Sequence, residues 1–488
     1  AVRAPCRPGR RRMDLGSSGV PRLLVVSNRQ PTLDSEAGAG GLAVALKAVL
    51  QEAGGLWLGW SGGTAPAPGS EPRRSRRDGI ELLSLDLTER EREGYYCELA
   101  NRSLWPLFHG RVDLARFEHD AYAVYRGVNA RFAETLAPRL REGDMIWVHD
   151  YHLIPLAREL RRRGVTAPIG FFLHIPFPQG DLLERLPWLA QLLADFCGYD
   201  LVGFQTRGCR QNFLDVMTRA TGARADGARG IRHGGREVRT GVFPISIDTA
   251  AVRRLATSPR VRWREARLRR QMSPQDWIIG VERLDYSKGL PERFLALERL
   301  LETRSAMRGR VSLLQIAAPS REGIAEYAAL QERLATLAGR INGRFGTEEW
   351  QPIRYITRCY DQSRLAALYR RCRIGLVTPL CDGMNLVAKE YVAAQDARAP
   401  GTLILSRFAG AARELTDALL VNPGDLDEVA AAIGRAVDMP LDERRRRWSG
   451  MVQRLETHDV HRWARSYVAA LETAARERGT AFPGEVSA

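Results

Sequence analysis

The segment WIIGVERLDYSKG, residues 277–289, joins a short apolar run directly to a run of charged residues. Such an apolar stretch is typical of a strand buried inside a parallel sheet. Similar runs follow at residues 311–316, 353–356, 374–378 and 403–406, and helical patterns separate them. Strands that alternate with helices of ten or more residues predict a parallel sheet covered by helices on both faces.

The same alternation occurs earlier in the chain. Its strand patterns lie at residues 23–26, 145–149, 168–174 and 201–204. A helix is predicted at about residues 42–53, and a polar, Arg-rich connection at 249–275 separates the two series. We therefore predict an α/β fold with two Rossmann-like, doubly wound domains that face each other across a cleft.

The length of 488 residues and the 44% hydrophobic content also favour two globular domains. We predict a disordered basic extension at 1–21, an N-terminal Rossmann-like domain at 22–250 and a C-terminal Rossmann-like domain at 251–458. Residues 459–488 are predicted to form a C-terminal helix that packs back on the N-terminal domain.

The formal net charge of +16 raises the possibility of nucleic-acid binding. Arg alternates with Glu through helical stretches such as residues 89–93, and the basic blocks at 158–163 and 444–447 lack interleaved aromatic residues. This distribution favours solvated helix faces over a nucleic-acid interface. The chain has no apolar run of the ~20 residues that a membrane span needs, so we expect a cytoplasmic protein.

The cysteines and lysines further limit the kinds of site that the chain could contain. The seven cysteines are scattered and never form CxxC, which argues against a disulfide framework or a zinc site. Only Lys47, Lys288 and Lys389 are lysines. Lys47 is interpreted as a helix-surface residue. Because the chain otherwise uses Arg, Lys288 and Lys389 suggest sites that require a compact ammonium group.

Polar residues that follow the predicted strands are the first candidates for a site, since ligands of open α/β sheets bind beyond the carboxyl ends of strands. Asp150 and His174 occupy such positions in the first series. Arg283 and Lys288 follow the strand at residue 277, and two fixed cations there suit a diphosphate leaving group.

The segment TPLCDGMNLVAKE, residues 378–390, reads as a strand, a glycine-containing turn and a helix. A helix N-terminus suits a sugar or phosphate, and Glu390 could accept hydrogen bonds from ribose hydroxyls. By contrast, residues 38–43 satisfy only a loose GxGxxA about ten residues beyond a strand, so they give a weak signal for NAD. No Walker A or HExxH motif occurs, and the Asp-x-Asp string at residues 425–427 lies in a late segment that does not follow a predicted strand, which disfavours metal-dependent sugar transfer.

With these residues in view, the chain resembles the trehalose-6-phosphate synthases, which are retaining glycosyltransferases of the GT-B type. The resemblance extends from about Arg22 to the final helix. It rests on nine motifs in order: SNR at 27–29, GGL at 40–42, LWLGWSG at 56–62, YY at 95–96, LWP at 104–106, HDYH at 149–152, HIPFP at 174–178, ERLDYSKG at 282–289 and DGMNLVAKE at 382–390.

The resemblance implies a role for individual residues. The glucose 6-phosphate acceptor would be held by Arg29, Tyr96, Trp105, Asp150 and Arg321. The nucleotide-glucose donor would be held by Gly40, Gly41, His174, Arg283, Lys288, Tyr360, Asp382, Asn385, Leu386, Val387 and Glu390. The catalytic residues would be Asp150, His174, Arg283, Lys288 and Asp382.

The implied reaction transfers glucose to glucose 6-phosphate, gives α,α-trehalose 6-phosphate and needs no metal or other cofactor. UDP-glucose is the preferred donor, with GDP- and ADP-glucose left open, and a homo-oligomer is expected. One departure is Cys381, which stands where the family commonly has Arg beside the donor. Alternatives are another phosphorylated acceptor such as glycerol 3-phosphate or a cyclitol phosphate, a non-catalytic sugar-phosphate-binding homologue, and an NAD oxidoreductase.

Overall fold

The computed structural model of the chain describes residues 22–30, 46–47, 49–50, 55–69, 71–77, 79–227, 229–272, 276–321 and 323–480. Gly40, Gly41 and the extension predicted at 1–21 lie outside the described residues. Of the helix predicted at about 42–53, residues 46–47 and 49–50 are described, and they are helical.

The described strands form two sheets, one of ten strands and one of six. The strands of the first sheet are β1 Leu23–Arg29, β2 Gly55–Thr64, β3 Arg73–Arg77, β4 Ile80–Leu87, β5 Met145–His149, β6 Ile169–Phe172, β7 Leu201–Phe204, β8 Arg224–Asp226, β9 Gly230–His233 and β10 Arg236–Val242. Those of the second sheet are β11 Asp276–Arg283, β12 Val311–Ala318, β13 Ile353–Ile356, β14 Ile374–Val377, β15 Thr402–Ser406 and β16 Leu419–Val421.

Helices connect most of these strands and cover the sheets. The α-helices are α1 Glu89–Glu91, α2 Trp105–Phe108, α3 His119–Leu136, α4 Leu156–Arg162, α5 Gly180–Leu183, α6 Leu189–Phe196, α7 Arg207–Thr221, α8 Thr249–Ala256, α9 Pro259–Gln271, α10 Leu290–Thr303, α11 Ala325–Phe345, α12 Gln362–Arg371, α13 Leu386–Ala394, α14 Leu426–Asp438, α15 Leu441–Thr457 and α16 Val460–Thr480. A π-helix at Arg92–Leu104 joins α1 to α2. No helix in the described part of the chain is long and apolar enough to cross a membrane.

Both sheets have the strand order of a Rossmann-like fold. The first runs β3-β4-β2-β1-β5-β6-β7-β10-β9-β8, and the second runs β13-β12-β11-β14-β15-β16. In the first sheet the seven neighbouring strands β4, β2, β1, β5, β6, β7 and β10 are parallel, and all strands of the second sheet are parallel. The strand β3 at one edge of the first sheet and the strands β9 and β8 at the other edge are antiparallel to their neighbours. The order reverses between β1 and β5 and between β11 and β14, and these reversals are the switch points where such sheets bind ligands.

The C-terminal helix α16 returns to the first sheet. The Tyr467 hydroxyl donates a hydrogen bond to the Phe171 carbonyl at 2.9 Å, and its ring stacks on Trp147 with the ring centroids 4.5 Å apart. Gly170 leaves room for this tyrosine, because a Cβ there would lie 2.5 Å from the hydroxyl oxygen. The final helix therefore fastens the end of the chain to the N-terminal sheet.

Two parts of the sequence form structure that the prediction did not include. The connection expected at 249–275 is helical, since Asp248 and Ser258 cap α8 and α9 through their side chains. The strand β3, sequence RRSRR, is exposed throughout, and β4 is its one partner among the described strands. Its composition carries no apolar alternation, so pairing with a neighbouring strand determines its conformation.

Candidate active site

The two switch points contribute most of the predicted site residues. Arg29 ends β1 and Asp150 directly follows β5 in the first sheet. Arg283 ends β11 in the second sheet, and Asp382 lies in the turn beyond β14. Fold topology therefore brings together strand-end residues that are far apart in sequence.

The two domains touch at this edge. The Arg321 guanidinium lies 3.7 Å from the centroid of the Trp105 ring, and Arg283 lies 5.9 Å from the same ring. Nearby, the backbone of Gly383 packs on His174, so closely that a Cβ at Gly383 would lie 2.0 Å from the His174 carbonyl oxygen. Residues predicted for the acceptor and for the donor thus share one cleft.

Tyr96 and Trp105 belong to one helical segment that is α-helical at its ends and π-helical between them. Nine residues make about two and a half turns of an α-helix, which would place these rings on opposite faces. A π-helix has a wider turn, and such turns are frequent at functional sites. Both rings in fact face the segment after β5, because Tyr96 stacks on His152 and Trp105 contacts Tyr151.

Two of the residues predicted for the acceptor are arginines, Arg29 and Arg321, and different contacts hold them. Arg29 stacks on Trp60 at 4.2 Å, is exposed, and makes no ion pair with any described residue. Arg321 pairs with Asp285 at 2.5 Å and hydrogen-bonds the Tyr327 hydroxyl at 2.6 Å. Burial would raise the pKa of Asp285, but Arg321 and Lys288 outweigh it and hold that pKa well below its usual range.

The residues predicted for the donor include a buried ion pair, Lys288 with Asp382, and an exposed cation, Arg283. The Lys288 ammonium lies 2.6 Å from the Asp382 carboxylate, which also accepts a hydrogen bond from the Asn385 amide at 3.1 Å. Burial would lower the pKa of Lys288, yet Asp382 and neighbouring carboxylates raise it, so the ammonium stays charged. Arg283 is exposed and forms no ion pair within the described chain.

Asp150 and His174 lie at the carboxyl ends of adjacent strands. The backbone N–H of His174 donates to the Asp150 carboxylate at 3.2 Å. Burial raises the pKa of Asp150 to about 6, although the backbone N–H groups of Tyr151 and His174 and the charge of Arg283 oppose the rise. Burial lowers the pKa of His174 to about 3, so this imidazole is neutral near pH 7.

His149 fixes the tautomer of His174. Its Nδ1 lies 3.0 Å from Nε2 of His174, and its own Nε2 is buried without a hydrogen-bond partner. Burial, together with His174, lowers the pKa of His149 well below 6.5, so both rings are neutral. A buried N–H without an acceptor is costly, so the proton of His149 belongs on Nδ1. His174 then accepts at Nε2 and carries its proton on Nδ1.

Backbone strain marks the same site. The non-glycine residues with positive φ in the described chain are Asp150 at 75°, Arg321 at 52° and Asn385 at 83°. Bulky residues avoid this region, and such strain concentrates where the surrounding structure forces a functional geometry. Three predicted site residues from both domains carry it.

Helix α13 begins at the donor side. Asn385 caps it by accepting from the Ala388 N–H at 3.1 Å, and Leu386 and Val387 are half-buried in its first turn. Burial raises the pKa of Glu390 to about 7, although the Tyr369 hydroxyl opposes the rise. The N-terminal part of α13 thus combines the positive end of the helix with the Asn385 amide and the Glu390 carboxyl group.

Three other residues that the sequence analysis named, Tyr360, Lys389 and Cys381, make contacts of a different kind. Tyr360 lies in the loop after β13, where Arg364 stacks on its ring at 4.0 Å. Lys389 is buried and pairs with Glu414 at 2.6 Å while donating to the Ile245 carbonyl at 2.7 Å. Cys381 is half-buried, and burial raises the pKa of its thiol to about 12, which leaves it protonated.

The sequence analysis did not single out three residues of this site. His109 packs against Trp105 with the ring centroids 4.0 Å apart, and burial lowers its pKa to about 4. Asp285 orients Arg321, and His152 lies beneath Tyr96 with both ring nitrogens buried and without partners. The motifs contained Asp285 and His152, but their roles depend on contacts between segments.

The chain is similar to proteins of known activity. A trehalose-6-phosphate synthase of Salmonella paratyphi B is 47% identical over 92% of this chain and 94% of its own. The synthase of Burkholderia xenovorans, solved in complex with glucose-6-phosphate, is 44% identical with a TM-score of 0.88, covering 92% of this chain and all of its own. An Escherichia coli structure bound to UDP-2-fluoro glucose is 45% identical with a TM-score of 0.88, covering 92% and 99%.

The chain has two Rossmann-like domains. Between them, arginine and aromatic side chains such as Arg321 and Trp105 lie near the cations Lys288 and Arg283. This arrangement defines a GT-B glycosyltransferase. The family model for glycosyltransferase family 20 matches residues 20–473. The chain belongs to glycosyltransferase family 20.

Proposed function

We propose that the protein moves glucose from UDP-glucose to glucose 6-phosphate, with retention of the anomeric configuration, and so makes α,α-trehalose 6-phosphate. Support comes from family members that are trehalose-6-phosphate synthases and from solved relatives that contain glucose-6-phosphate or UDP-2-fluoro glucose. The observation that carries the proposal is the stacking of Arg321 on Trp105, because it brings the residues proposed to bind the sugar phosphate next to those proposed to bind the diphosphate.

The acceptor is proposed to bind on the side of the first domain. Arg29 and Arg321 would hold its phosphate, since guanidinium groups match phosphate oxygens in pairs. Tyr96 and Trp105 would pack on the pyranose ring. The Nε1 of Trp105 is buried and has no partner within the described chain, so it is available as a donor to the sugar phosphate.

The donor is proposed to bind on the side of the second domain. Arg283 and Lys288 would neutralise the diphosphate, and the N-terminus of α13 at residues 385–387 would add backbone N–H donors. Asp382 and His174 would hydrogen-bond glucose hydroxyls, the latter through its Nδ1–H. Glu390 would accept from the ribose hydroxyls, with Gly40 and Gly41 near the phosphates and Tyr360 near the nucleotide.

Transfer would take place on one face of the donor glucose. The bond from the anomeric carbon to the diphosphate oxygen breaks, and the same carbon bonds to the 1-hydroxyl oxygen of glucose 6-phosphate. The hydroxyl proton passes to the leaving phosphate, and UDP departs. Asp150, ionised above its pKa of about 6, would orient the reacting sugars, while Arg283 and Lys288 stabilise the developing charge.

This mechanism assigns to Arg283 and Lys288 the charge stabilisation that a metal ion supplies in other transferases, so we propose that no metal is needed. The test is nucleotide release from UDP-, GDP- and ADP-glucose, each with EDTA and with glucose 6-phosphate, glycerol 3-phosphate, a cyclitol phosphate or no acceptor. We expect rapid release only with UDP-glucose and glucose 6-phosphate together. Equal release without acceptor, or a requirement for added metal, would refute the proposal.

Two further statements about the protein belong to the same proposal. A cytoplasmic location fits a reaction between a nucleotide sugar and a sugar phosphate, and self-association into a homo-oligomer stays a prediction from the sequence. Size-exclusion chromatography with light scattering tests the second, and a monomer at assay concentration would contradict it.

A further inference from the structure

A cavity lies beside Gly383, because its lining residue Gly410 packs against the Gly383 carbonyl. Its volume is about 620 Å³, and residues after β7 and β10 line it from the first domain. Residues after β15, together with Arg454 of α15, line it from the second domain. In both sheets these strands lie farther from the switch points than β6 and β14, and none of the lining residues is among the predicted substrate-binding residues.

The cavity is strongly basic. Its charged side chains are Arg207, Arg413, Arg454 and Glu414, which are three guanidinium groups against one carboxylate. Glu414 is already committed, because it pairs with buried Lys389 at 2.6 Å and with Arg454 at 3.2 Å. Arg207 and Arg413 are exposed and make no ion pair or hydrogen bond with a described side chain.

A buried amide adds a second, independent observation. Gln205 is only 3% exposed, and its Oε1 accepts from the Ile245 N–H at 2.9 Å. Its Nε2 is buried and has no partner in the described chain, although a buried amide N–H ordinarily has an acceptor. Gln205 lines the cavity directly before α7, whose positive N-terminal end begins at Arg207.

We infer that this cavity is a binding site for a phosphate group, carried by inorganic phosphate or by a phosphate monoester, separate from both substrate sites. Arg207 and Arg413 bind the phosphate from opposite domains, and the Gln205 amide donates to it. Without an anion the two like charges repel across the cleft. A bound phosphate removes that repulsion and favours the arrangement in which Gly383 packs on His174.

The site is joined to the donor side by contacts between charged side chains. Arg454 pairs with Glu414, and Glu414 pairs with Lys389 in α13. The first turn of α13 contains residues proposed to bind the donor. Lys389 also donates to the carbonyl of Ile245, in the segment that joins β10 of the first domain to α8. Phosphate in the cavity therefore strengthens donor binding, and the donor strengthens phosphate binding by the same factor.

The test is titration of inorganic phosphate by calorimetry at constant ionic strength, with UDP and glucose 6-phosphate saturating. We expect a further phosphate to bind, with its Kd raised at least tenfold when Arg207→Gln and Arg413→Gln are combined. Arg446→Gln is the matched control, since it removes an exposed charge from α15 outside the cavity. Absence of the further phosphate, or an equal Kd in the double variant, would overturn the inference.

A second arm separates this inference from the proposed reaction. The titration is repeated without nucleotide or sugar on the variant Arg29→Ala with Arg283→Ala, which lacks the exposed arginines of the substrate cradles. Phosphate is expected to bind this variant with the Kd that the cavity of the wild type shows when nucleotide and sugar are likewise absent, whatever the reaction catalysed. Glycerol 2-phosphate distinguishes a monoester from the free ion: tighter binding identifies an ester as ligand, and weaker binding identifies inorganic phosphate.

Coupling is measured as the Kd of UDP with and without phosphate. We expect phosphate to lower this Kd in the wild type and to lose that effect when Arg207→Gln and Arg413→Gln are combined. If phosphate raises the Kd of UDP equally in both proteins, it competes at the substrate site, and the inference is wrong.

Discussion

The Arg321 guanidinium lies 3.7 Å from the centroid of the Trp105 ring, although the two residues are 216 positions apart and belong to opposite domains. Asp285 and Tyr327 hold Arg321 from the second domain, while His109 and Tyr151 pack around Trp105 from the first. The proposed acceptor site is therefore complete only when the domains meet, next to the proposed donor site.

Arg321→Lys is expected to weaken acceptor binding selectively. Lysine keeps the charge but lacks the planar fork that stacks on Trp105 and binds Asp285 and phosphate. Losing a charged hydrogen bond costs about 1.5–3 kcal/mol, or roughly 10- to 100-fold in the KM for glucose 6-phosphate. Steady-state kinetics should show this rise with little change in the KM for UDP-glucose.

The control is Arg354→Lys, since Arg354 stacks on Trp277 at 4.7 Å but lies within β13, away from the cleft. Its kinetics should match the wild type. Equal effects of Arg321→Lys on both substrates would contradict an acceptor role.

Arg283→Ala and Lys288→Ala should both reduce turnover, but only Lys288→Ala should also reduce stability. Each removes a cation from the leaving diphosphate, and we expect kcat to fall by about 10²–10³. Arg283 is exposed and has no ion pair with a described residue, so its loss should leave the thermal unfolding midpoint unchanged. Lys288→Ala leaves Asp382 buried without its partner and should also lower the midpoint.

Differential scanning calorimetry and single-turnover kinetics separate the two effects. Near-normal turnover of either folded variant would show that the diphosphate is stabilised elsewhere.

Asp150 should give both the activity and the stability a pH dependence. Its folded pKa, about 6, lies above the ordinary 3.8, so the folded state binds the extra proton between these values. Stability from this group is therefore greatest at low pH and is lost as pH rises through about 6, a cost of up to about 3 kcal/mol at pH 7. Asp150→Asn should be more stable at pH 7.5 and much less active.

The corresponding measurements are urea unfolding and kcat/KM between pH 5 and 8. The wild type should gain activity through about pH 6, while the variant should lack that limb. A variant less stable than the wild type at pH 7.5 would show that the carboxylate is favourably held.

His149→Phe should change the tautomer of His174 without removing it. The aromatic surroundings of His149 suit phenylalanine, but the hydrogen bond to Nε2 of His174 is lost. Nitrogen-15 NMR should show Nδ1–H at His174 in the wild type and a mixture in the variant. We expect kcat/KM to fall roughly two- to tenfold, as for one neutral hydrogen bond. An unchanged tautomer in the variant would refute the positioning role.

Much of the fold followed from local pattern, and the exceptions have physical reasons. The apolar runs at 145–149, 201–204 and 353–356 are strands with the predicted bounds. The strand at Arg73–Arg77 was missed because it has no apolar face, and the helices between residues 249 and 271 because arginine-rich surfaces hide their narrow buried stripe.

The site was predictable where a residue follows a strand and unpredictable where a role depends on a tertiary contact. Asp150, Arg283 and Asp382 lie at strand ends in the sequence itself. His109 has no motif around it, and only packing on Trp105 brings it to the cleft. The positive φ of Arg321 and the π-helix that aligns Tyr96 with Trp105 leave no signal in composition or periodicity.

The most direct test of the central claim is NMR of the product formed from UDP-glucose labelled with carbon-13 at glucose C1, with glucose 6-phosphate and EDTA present. The account predicts a single labelled anomeric carbon in the α configuration, linked 1,1 to an α-glucose 6-phosphate unit. A labelled β-anomeric carbon, free labelled glucose or a linkage to another hydroxyl would contradict it.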